Sequence, residues 1–352
     1  MSQVRVKLVG AGGYGGIGTI ELLHRHPEAE IVALVDLDGE GPISSMWPHL
    51  QGICDLPIVR PGTPEAEVDC DVVYFCTPDR VGMKQAKAEV DKGRRVIDFS
   101  GDFRSPTPAV YAEYARRLGL DQEHLAPALL EKSAYGVPEL HRERIKSATV
   151  VANPGCFAVG TILALAPAVR EKLIDSSRIV VDAKTGISGA GKKARPHFHY
   201  PEAYDNTFAY RLTGHQHVME METQLGLIQG GEMKLTFTPQ AVPMARGILS
   251  SCYAPMAKGV TQQKVLEAYR AAYENEPFIN AFDGSGPAGT VVVRGSNRIN
   301  LTVACDDRTG VFRVLSHIDN LMKGQAGSAV QNMNVMFGLN ETAGLLFAGP
   351  HP

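Results

Sequence analysis

Short β-branched and aliphatic runs alternate with stretches of helical period over the first 150 positions. Val4–Val9 predicts a strand that runs into the glycine cluster at 10–16 and then into the helical stretch 17–26. Positions 30–36 predict a second strand, 71–79 a third and 94–104 a fourth. Between the last two, 82–93 has helix-forming composition and stops on Gly93. Nearly continuous Val/Ile runs separated by helices predict a parallel sheet buried on both faces.

The pattern changes near residue 153. The segment 153–160, NPGCFAVG, leads from the β-branched run 148–152 into the apolar stretch 161–169. Long strand runs then follow at 178–188, 232–243, 247–256, 290–306 and 310–319, with one clear helix at 261–276 between them. Positions 324–339 predict a closing helix with a small and apolar stripe that packs back on the first half. The expected fold is an α/β Rossmann-type dinucleotide-binding domain formed by 1–153 together with 320–352. A second, α+β domain with a mainly antiparallel sheet occupies 154–319.

Composition narrows the function classes. With 352 residues, 44% of them hydrophobic and 21% charged, the chain has room for two ordinary globular domains. A net charge of −3 gives no electrostatic case for nucleic acid or an anionic membrane as partner. No apolar run approaches a membrane span, and the opening lacks the layout of a signal peptide. Six cysteines (54, 70, 76, 156, 252, 305) form no CxxC pair, which favours free thiols in a reducing cytoplasm.

The glycine cluster lies between the first strand and the first helix. Gly10, Gly13 and Gly16 keep a dinucleotide-loop spacing, with Gly12 and Gly15 beside them. Such a loop needs glycine so that its N–H groups and the helix N-terminus approach a pyrophosphate. At the end of the second strand, Asp36 and Asp38 stand where a carboxylate accepts from a ribose 2′-hydroxyl. Alone, that spot leans towards NAD.

Cys156 sits where a strand hands over to a helix, behind Pro154 and Gly155. A helix N-terminus favours the thiolate and offers N–H groups for an oxyanion. The alternative is a buried structural cysteine, the expectation for Cys70, Cys76, Cys252 and Cys305 in their strand-like runs. A thiolate nucleophile works with a base, and histidines cluster at 197/199 and 215/217, with Glu220 and Glu222 close behind the second pair. Neither HxH pair has further ligands at metal-like spacing, so no metal is expected.

A nucleotide loop, a cysteine at a helix start and a downstream histidine together describe an acyl-thioester dehydrogenase. The ordered segments NPGCF, VIDFSGDFR, YGVPEL, TGISGAG, GHQHVMEME, RGILSSCY and IDNLMKGQAGSAVQNMNVMFGLNETAGL resemble the N-acetyl-γ-glutamyl-phosphate reductases of arginine biosynthesis, within the aspartate-semialdehyde dehydrogenase superfamily. The resemblance runs from residue 4 to the C-terminus. It implies that Cys156 attacks an acyl phosphate, that His215 is the acid/base, and that His217 and Glu220 orient the site or bind substrate. It implies substrate or phosphate contact at Ser100, Arg104 and Asn153. Cofactor contact is implied at Gly10, Gly12, Gly13, Tyr14, Gly15, Gly16, Asp36, Thr77, Pro78, Ser188 and Gly189, and a return to the cofactor domain around Gly324.

The implied cofactor is NADP, with NAD as the other choice. The implied assembly is a homo-dimer or homo-tetramer through the second domain's sheet, in the cytoplasm. Three positions depart from the family pattern: Gln216 replaces arginine between the histidines, VDLD follows the second strand, and Gly101 replaces alanine in an SADFR-like segment. Two other readings stay open: a carrier-bound aminoadipyl phosphate as substrate, with Lys192, Lys193 and Arg195 as a basic entrance, or an inactive nucleotide-binding redox sensor.

Overall fold

The computed structural model describes residues 3–287 and 289–350. It divides into one unit formed by residues 1–154 with 325–346 and a second formed by 155–324 with 347–352.

The first unit begins β1 (Val4–Val9), α1 (Tyr14–Leu23), β2 (Ala29–Val35), the single turn α2 (Ile43–Met46), β3 (Ile58–Val59) and β4 (Val72–Phe75). It continues through α3 (Gly82–Asp91), β5 (Arg95–Asp98), α4 (Pro108–Leu118), the single turn α5 (Pro127–Leu130), β6 (Ala134–Tyr135), α6 (Pro138–Ser147) and β7 (Val150–Ala152). Its seven strands lie in the order β3-β2-β1-β4-β5-β7-β6 and every pair is parallel. All four residues of β4 are buried, as a sheet covered on both faces requires. Lys7 on β1 is the polar exception. Its buried ammonium meets Glu89 Oε1 at 3.3 Å, and Glu89 also pairs with Arg94. The strand order reverses between β1 and β4, the crevice where open α/β sheets bind ligands.

The second unit holds α7 (Cys156–Arg170), β8 (Ile179–Gly186), the single turn α8 (Tyr200–Ala203), β9 (Phe208–Ala209), α9 (Gln216–Gln229), β10 (Leu235–Val242) and β11 (Ile248–Pro255). After these come α10 (Gln262–Tyr273), β12 (Ile279–Phe282), β13 (Ile299–Asp306) and β14 (Val311–Ile318). The sheet order is β12-β13-β14-β11-β8-β10-β9, antiparallel except at β12/β13 and β8/β10. The run 290–306, read above as one strand, pairs only from Ile299. Gly289 (φ 137°) and Gly295 (φ 72°) bend the chain before it, and Gly295 gives its N–H to Asp319 at 2.7 Å.

Helix α7 is apolar all round and buried from Phe157 to Val169. Pro167 lies inside it, so Leu163 O loses its i+4 donor. The Tyr273 hydroxyl of α10 supplies that hydrogen bond at 2.5 Å, and the Tyr269 hydroxyl caps Ala164 O next to it. A sequence that would break an exposed helix is therefore repaired from its neighbour.

The chain returns to the first unit in α11 (Gly327–Phe337), buried from Gly327 to Met336. Its polar residues are bonded rather than exposed. Asn332 Nδ2 donates to Gly136 O at 2.9 Å, Asn334 Oδ1 meets His26 Nε2 at 2.9 Å, and Gln331 Nε2 donates to Glu341 at 2.9 Å.

Candidate active site

In the first unit the loop from β1 to α1 carries the phosphate-binding geometry. Gly10 has φ 85°, and a Cβ there would lie 2.6 Å from Cys76 O and 3.2 Å from Thr77 Cγ2. A side chain would thus separate the β1 loop from the loop after β4. A Cβ at Gly16 would fall 2.5 Å from the carbonyl oxygens of both Gly10 and Ala11. Gly13 caps α1 with no side-chain bond, and a Cβ on it would meet only Gly10 O, at 3.8 Å. Gly13 and Tyr14 are half-buried and Gly15 and Gly16 buried, and the first-turn N–H groups fit a pyrophosphate.

Asp36 ties this loop down: Oδ2 accepts from Gly12 N–H at 2.7 Å and Oδ1 from Asp38 N–H at 3.0 Å. Thr77 Oγ1 is buried with no partner among the described residues, while the neighbouring Pro78 is exposed.

The three residues expected at the substrate are held within the same unit. Ser100 is buried and donates to Asp98 Oδ2 at 2.5 Å. Arg104 gives Nε to Asn153 O at 2.8 Å and Nη2 to Phe99 O at 2.6 Å. Asn153 is buried. It donates Nδ2 to Gln325 O at 2.9 Å and its own N–H to Asp98 O at 2.8 Å. Burial, with the neighbouring Asp102 charge, pushes the Asp98 carboxyl well above the carboxylate range.

The second unit holds the candidate nucleophile. Cys156 is the first residue of α7, half-exposed behind its cap Gly155. Burial pushes the Cys70 thiol up to about 11 and raises Cys76, Cys252 and Cys305 as well. Cys156 alone of the six opens a helix, where the dipole favours a thiolate.

Helix α9 grips the turn from the other side. Gly155 N–H donates to Glu220 Oε2 at 2.9 Å. A Cβ at Gly155 would lie 2.4 Å from His217 Cδ2 and Nε2 and 2.7 Å from Glu220 Oε1. His217 and Glu220 are one helical turn apart, with Nε2 and Oε1 separated by 4.0 Å.

His215 is the N-cap of α9 and accepts His217 N–H on Nδ1 at 3.2 Å, which puts its own proton on Nε2. Burial against Phe157 and Phe237, then the neighbouring His217, holds it neutral, down to about 2. Gln216, at the family's arginine position, accepts from Arg211. Among the described residues no group of three or more His, Cys, Asp or Glu side chains is arranged for a metal.

One further element closes on this turn. A Cβ at Gly324 would sit 2.9 Å from Cys156 Cβ and 3.2 Å from Asp319 O, so the π-turn Met322–Ala326 reaches the cysteine only because Gly324 has no side chain. Gly324 stays with the second unit, and the return to the first begins at Gln325. Asn320 Nδ2 donates to Ser188 Oγ at 2.9 Å and its Oδ1 accepts from Gly247 N–H at 2.7 Å. Ser188 N–H bonds Ala245 O at 3.1 Å, while Gly189 faces Thr185. The loop 187–190 is thus held at Ser188 through both its side chain and its N–H.

Tyr210 was not singled out by sequence. Burial and the nearby Cys156 sulfur push its hydroxyl up, and its ring lies 5.9 Å from that of His215. A half-buried tyrosine in a loop gives no periodic signal.

Residues 5–148 match the semialdehyde dehydrogenase NAD binding domain family, and residues 156–320 match the semialdehyde dehydrogenase dimerisation domain family. The N-acetyl-gamma-glutamyl-phosphate reductase of Desulforamulus reducens is 39% identical over 351 residues, 99% of this chain and 100% of its own. That of Symbiobacterium thermophilum is 40% identical, covering 99% of each. Among solved structures, aspartate semialdehyde dehydrogenase II of Vibrio cholerae shares the fold with TM-score 0.72 at 19% identity, covering 96% of this chain and 99% of its own. The Candida albicans aspartate semialdehyde dehydrogenase with NADP gives 0.67 at 18% identity, with the same coverage.

Proposed function

The chain belongs to the N-acetyl-gamma-glutamyl-phosphate reductase family, and on that premise we propose that it reduces N-acetyl-L-glutamyl 5-phosphate to N-acetyl-L-glutamate 5-semialdehyde, with release of phosphate, in arginine biosynthesis. The observation that carries the reading is the Cys156 turn, a half-exposed thiol at a helix start whose preceding amide is held by Glu220. A carrier-bound aminoadipyl phosphate and an inactive sensor are not favoured.

In this reading the Cys156 thiolate attacks the acyl carbonyl. A C–S bond forms, the C–O bond to phosphate breaks, and phosphate leaves with its electron pair. The first-turn N–H groups of α7 stabilise the thiolate beforehand and the oxyanion during attack. The glycine loop between β1 and α1 would hold a nicotinamide dinucleotide, which in its reduced form would supply the hydride that the thioester carbon accepts. His215, neutral with its proton on Nε2, donates a hydrogen bond to the substrate oxygen. His217 and Glu220 keep Gly155 and hence Cys156 in place. Breaking the C–S bond then frees the aldehyde and returns the thiolate.

We take the cofactor to be NADP, bound by the glycine loop with Tyr14, Thr77 and Pro78. We also assign the chain to the cytoplasm. No helix of the described residues is long and apolar enough to cross a membrane. The second unit's sheet supports a homo-dimer or homo-tetramer: on β8, Ile179, Val181 and Ala183 are buried while Val180 is 42% exposed and Asp182 and Lys184 half-buried. Absorbance at 340 nm with N-acetyl-glutamyl phosphate, run with NADPH and with NADH, tests the reaction. Oxidation independent of the acyl phosphate would refute it.

A further inference from the structure

The turn after β2 holds more than the carboxylates visible in the sequence. Asp36 donates its N–H to Val59 O at 3.1 Å, which lays β3 beside the end of β2 and brings Arg60 to the turn. Arg60 Nη1 then donates to Leu37 O at 3.1 Å, and Nη2 lies 3.5 Å from Glu40 Oε1. The Arg60 and Glu40 side chains are 58% and 87% exposed, so their ion pair is solvated and weak. Asp36, by contrast, is committed to the backbone amides of Gly12 and Asp38.

We propose that Arg60 determines cofactor specificity by exchanging Glu40 for the 2′-phosphate of the adenosine ribose. The inference rests on the NADP reading given above. Without Arg60 the turn offers only Asp36, Asp38 and Glu40, three carboxylates suited to a 2′-hydroxyl and repulsive to a phosphate. The guanidinium is anchored on Leu37 O by one nitrogen, and an Arg–phosphate contact is charge-assisted and often bidentate. Giving up a solvated partner such as Glu40 costs little. A chain whose second strand ends like that of an NAD enzyme thereby admits NADP through the residue that follows the next strand.

Calorimetric titration of the full chain with adenosine 2′,5′-bisphosphate and with AMP isolates the 2′-phosphate. The wild type is expected to bind the bisphosphate at least about ten-fold tighter than AMP. Arg60→Ala should weaken the bisphosphate about ten-fold or more while moving AMP less than about two-fold. Arg60→Lys should fall between, and Glu40→Gln should tighten the bisphosphate alone.

If the wild type prefers the bisphosphate and Arg60→Ala leaves that preference intact, Arg60 is not the determinant and the NADP reading stands. If the wild type binds AMP as tightly as the bisphosphate, the NADP reading fails and the role of Arg60 with it. Equal loss of both ligands in Arg60→Ala, with Arg60→Lys no better, would mark a structural role and overturn the proposal.

Discussion

Glu220 Oε2 accepts the Gly155 amide at 2.9 Å, so a side chain in the second turn of α9 fixes the residue before Cys156. Glu220→Gln keeps an acceptor but loses the charge, and turnover should fall by about ten-fold as the hydrogen bond weakens. Glu220→Ala leaves a buried N–H unpaired and should cost about 1–3 kcal/mol of stability, read by urea denaturation. Unchanged midpoints and rates in both variants would show that the turn holds itself.

Removing the sulfur separates chemistry from binding. Cys156→Ala is expected to abolish turnover while NADPH still binds, followed through energy transfer from the sole tryptophan, Trp47, whose ring lies 6.1 Å from that of Tyr14. In the wild type, iodoacetamide near neutral pH should label Cys156 well ahead of the fully buried Cys252, as peptide mass spectrometry would resolve. Residual wild-type-like turnover in the alanine variant would rule out a thioester.

Gly324→Ala places a methyl 2.9 Å from Cys156 Cβ. Displacing the sulfur by a fraction of an ångström to an ångström should lower kcat by about 10²-fold. Binding of NADPH should persist, and a kcat within a factor of two of wild type would show that the π-turn yields instead.

Acid should destabilise the protein in a way that His215 partly controls. His26, His124, His215 and His317 are all held below their ordinary value, chiefly by burial, His215 down to about 2. The unfolded chain therefore takes up these protons first. Stability present at pH 7 is lost as pH falls below about 6.5, by at most about 1.4 kcal/mol per pH unit for each histidine. Asp98 and Asp102, whose carboxyls are raised by burial, act in the opposite sense: their contribution shrinks as pH rises from about 4 towards their folded values. His215→Asn keeps an N-cap acceptor. Between pH 7.5 and 5.5 its Tm should fall less steeply than that of the wild type, and parallel curves would contradict the assignment.

The repair of α7 has a simple test. Tyr273→Phe removes the hydroxyl that takes the place of the missing Pro167 amide at Leu163 O. A loss of about 1–3 kcal/mol in urea unfolding is expected. If Pro167→Ala restores most of it by supplying the backbone donor, the hydroxyl and the amide are equivalent; no loss in Tyr273→Phe would mean the carbonyl needs neither.

Periodicity made the long elements legible. The β1–glycine loop–α1 unit, β8, β10, β11, β14 and α10 all follow apolar patterns that only one kind of element satisfies. Residues 105–149 were silent because α5 and β6 are only four and two residues long and α6 is polar, although Thr107 caps α4 through Val110 N–H and Gly119 ends it at φ 69°. The valines at 291–293 misled, since β-branching marks a strand only where glycines do not bend the chain. At the site, Cys156 was visible from its turn alone. The capping role of His215 was not, because Ser, Thr, Asp and Asn are the usual caps. Nor was Arg60, which only strand pairing brings to Leu37.

Because α11 supplies buried asparagines and a glutamine to the first unit, that unit is discontinuous in the chain. During synthesis the nucleotide-binding half must wait, incomplete, until residue 346 has left the ribosome. The half bearing Cys156 is contiguous from 155 to 324 apart from a short C-terminal segment, so most of it is made in one stretch. The long stretch of the second unit is thus made before the segment 325–346 that completes the first, and the nucleotide-binding half is closed by residues translated after the half that bears the thiol.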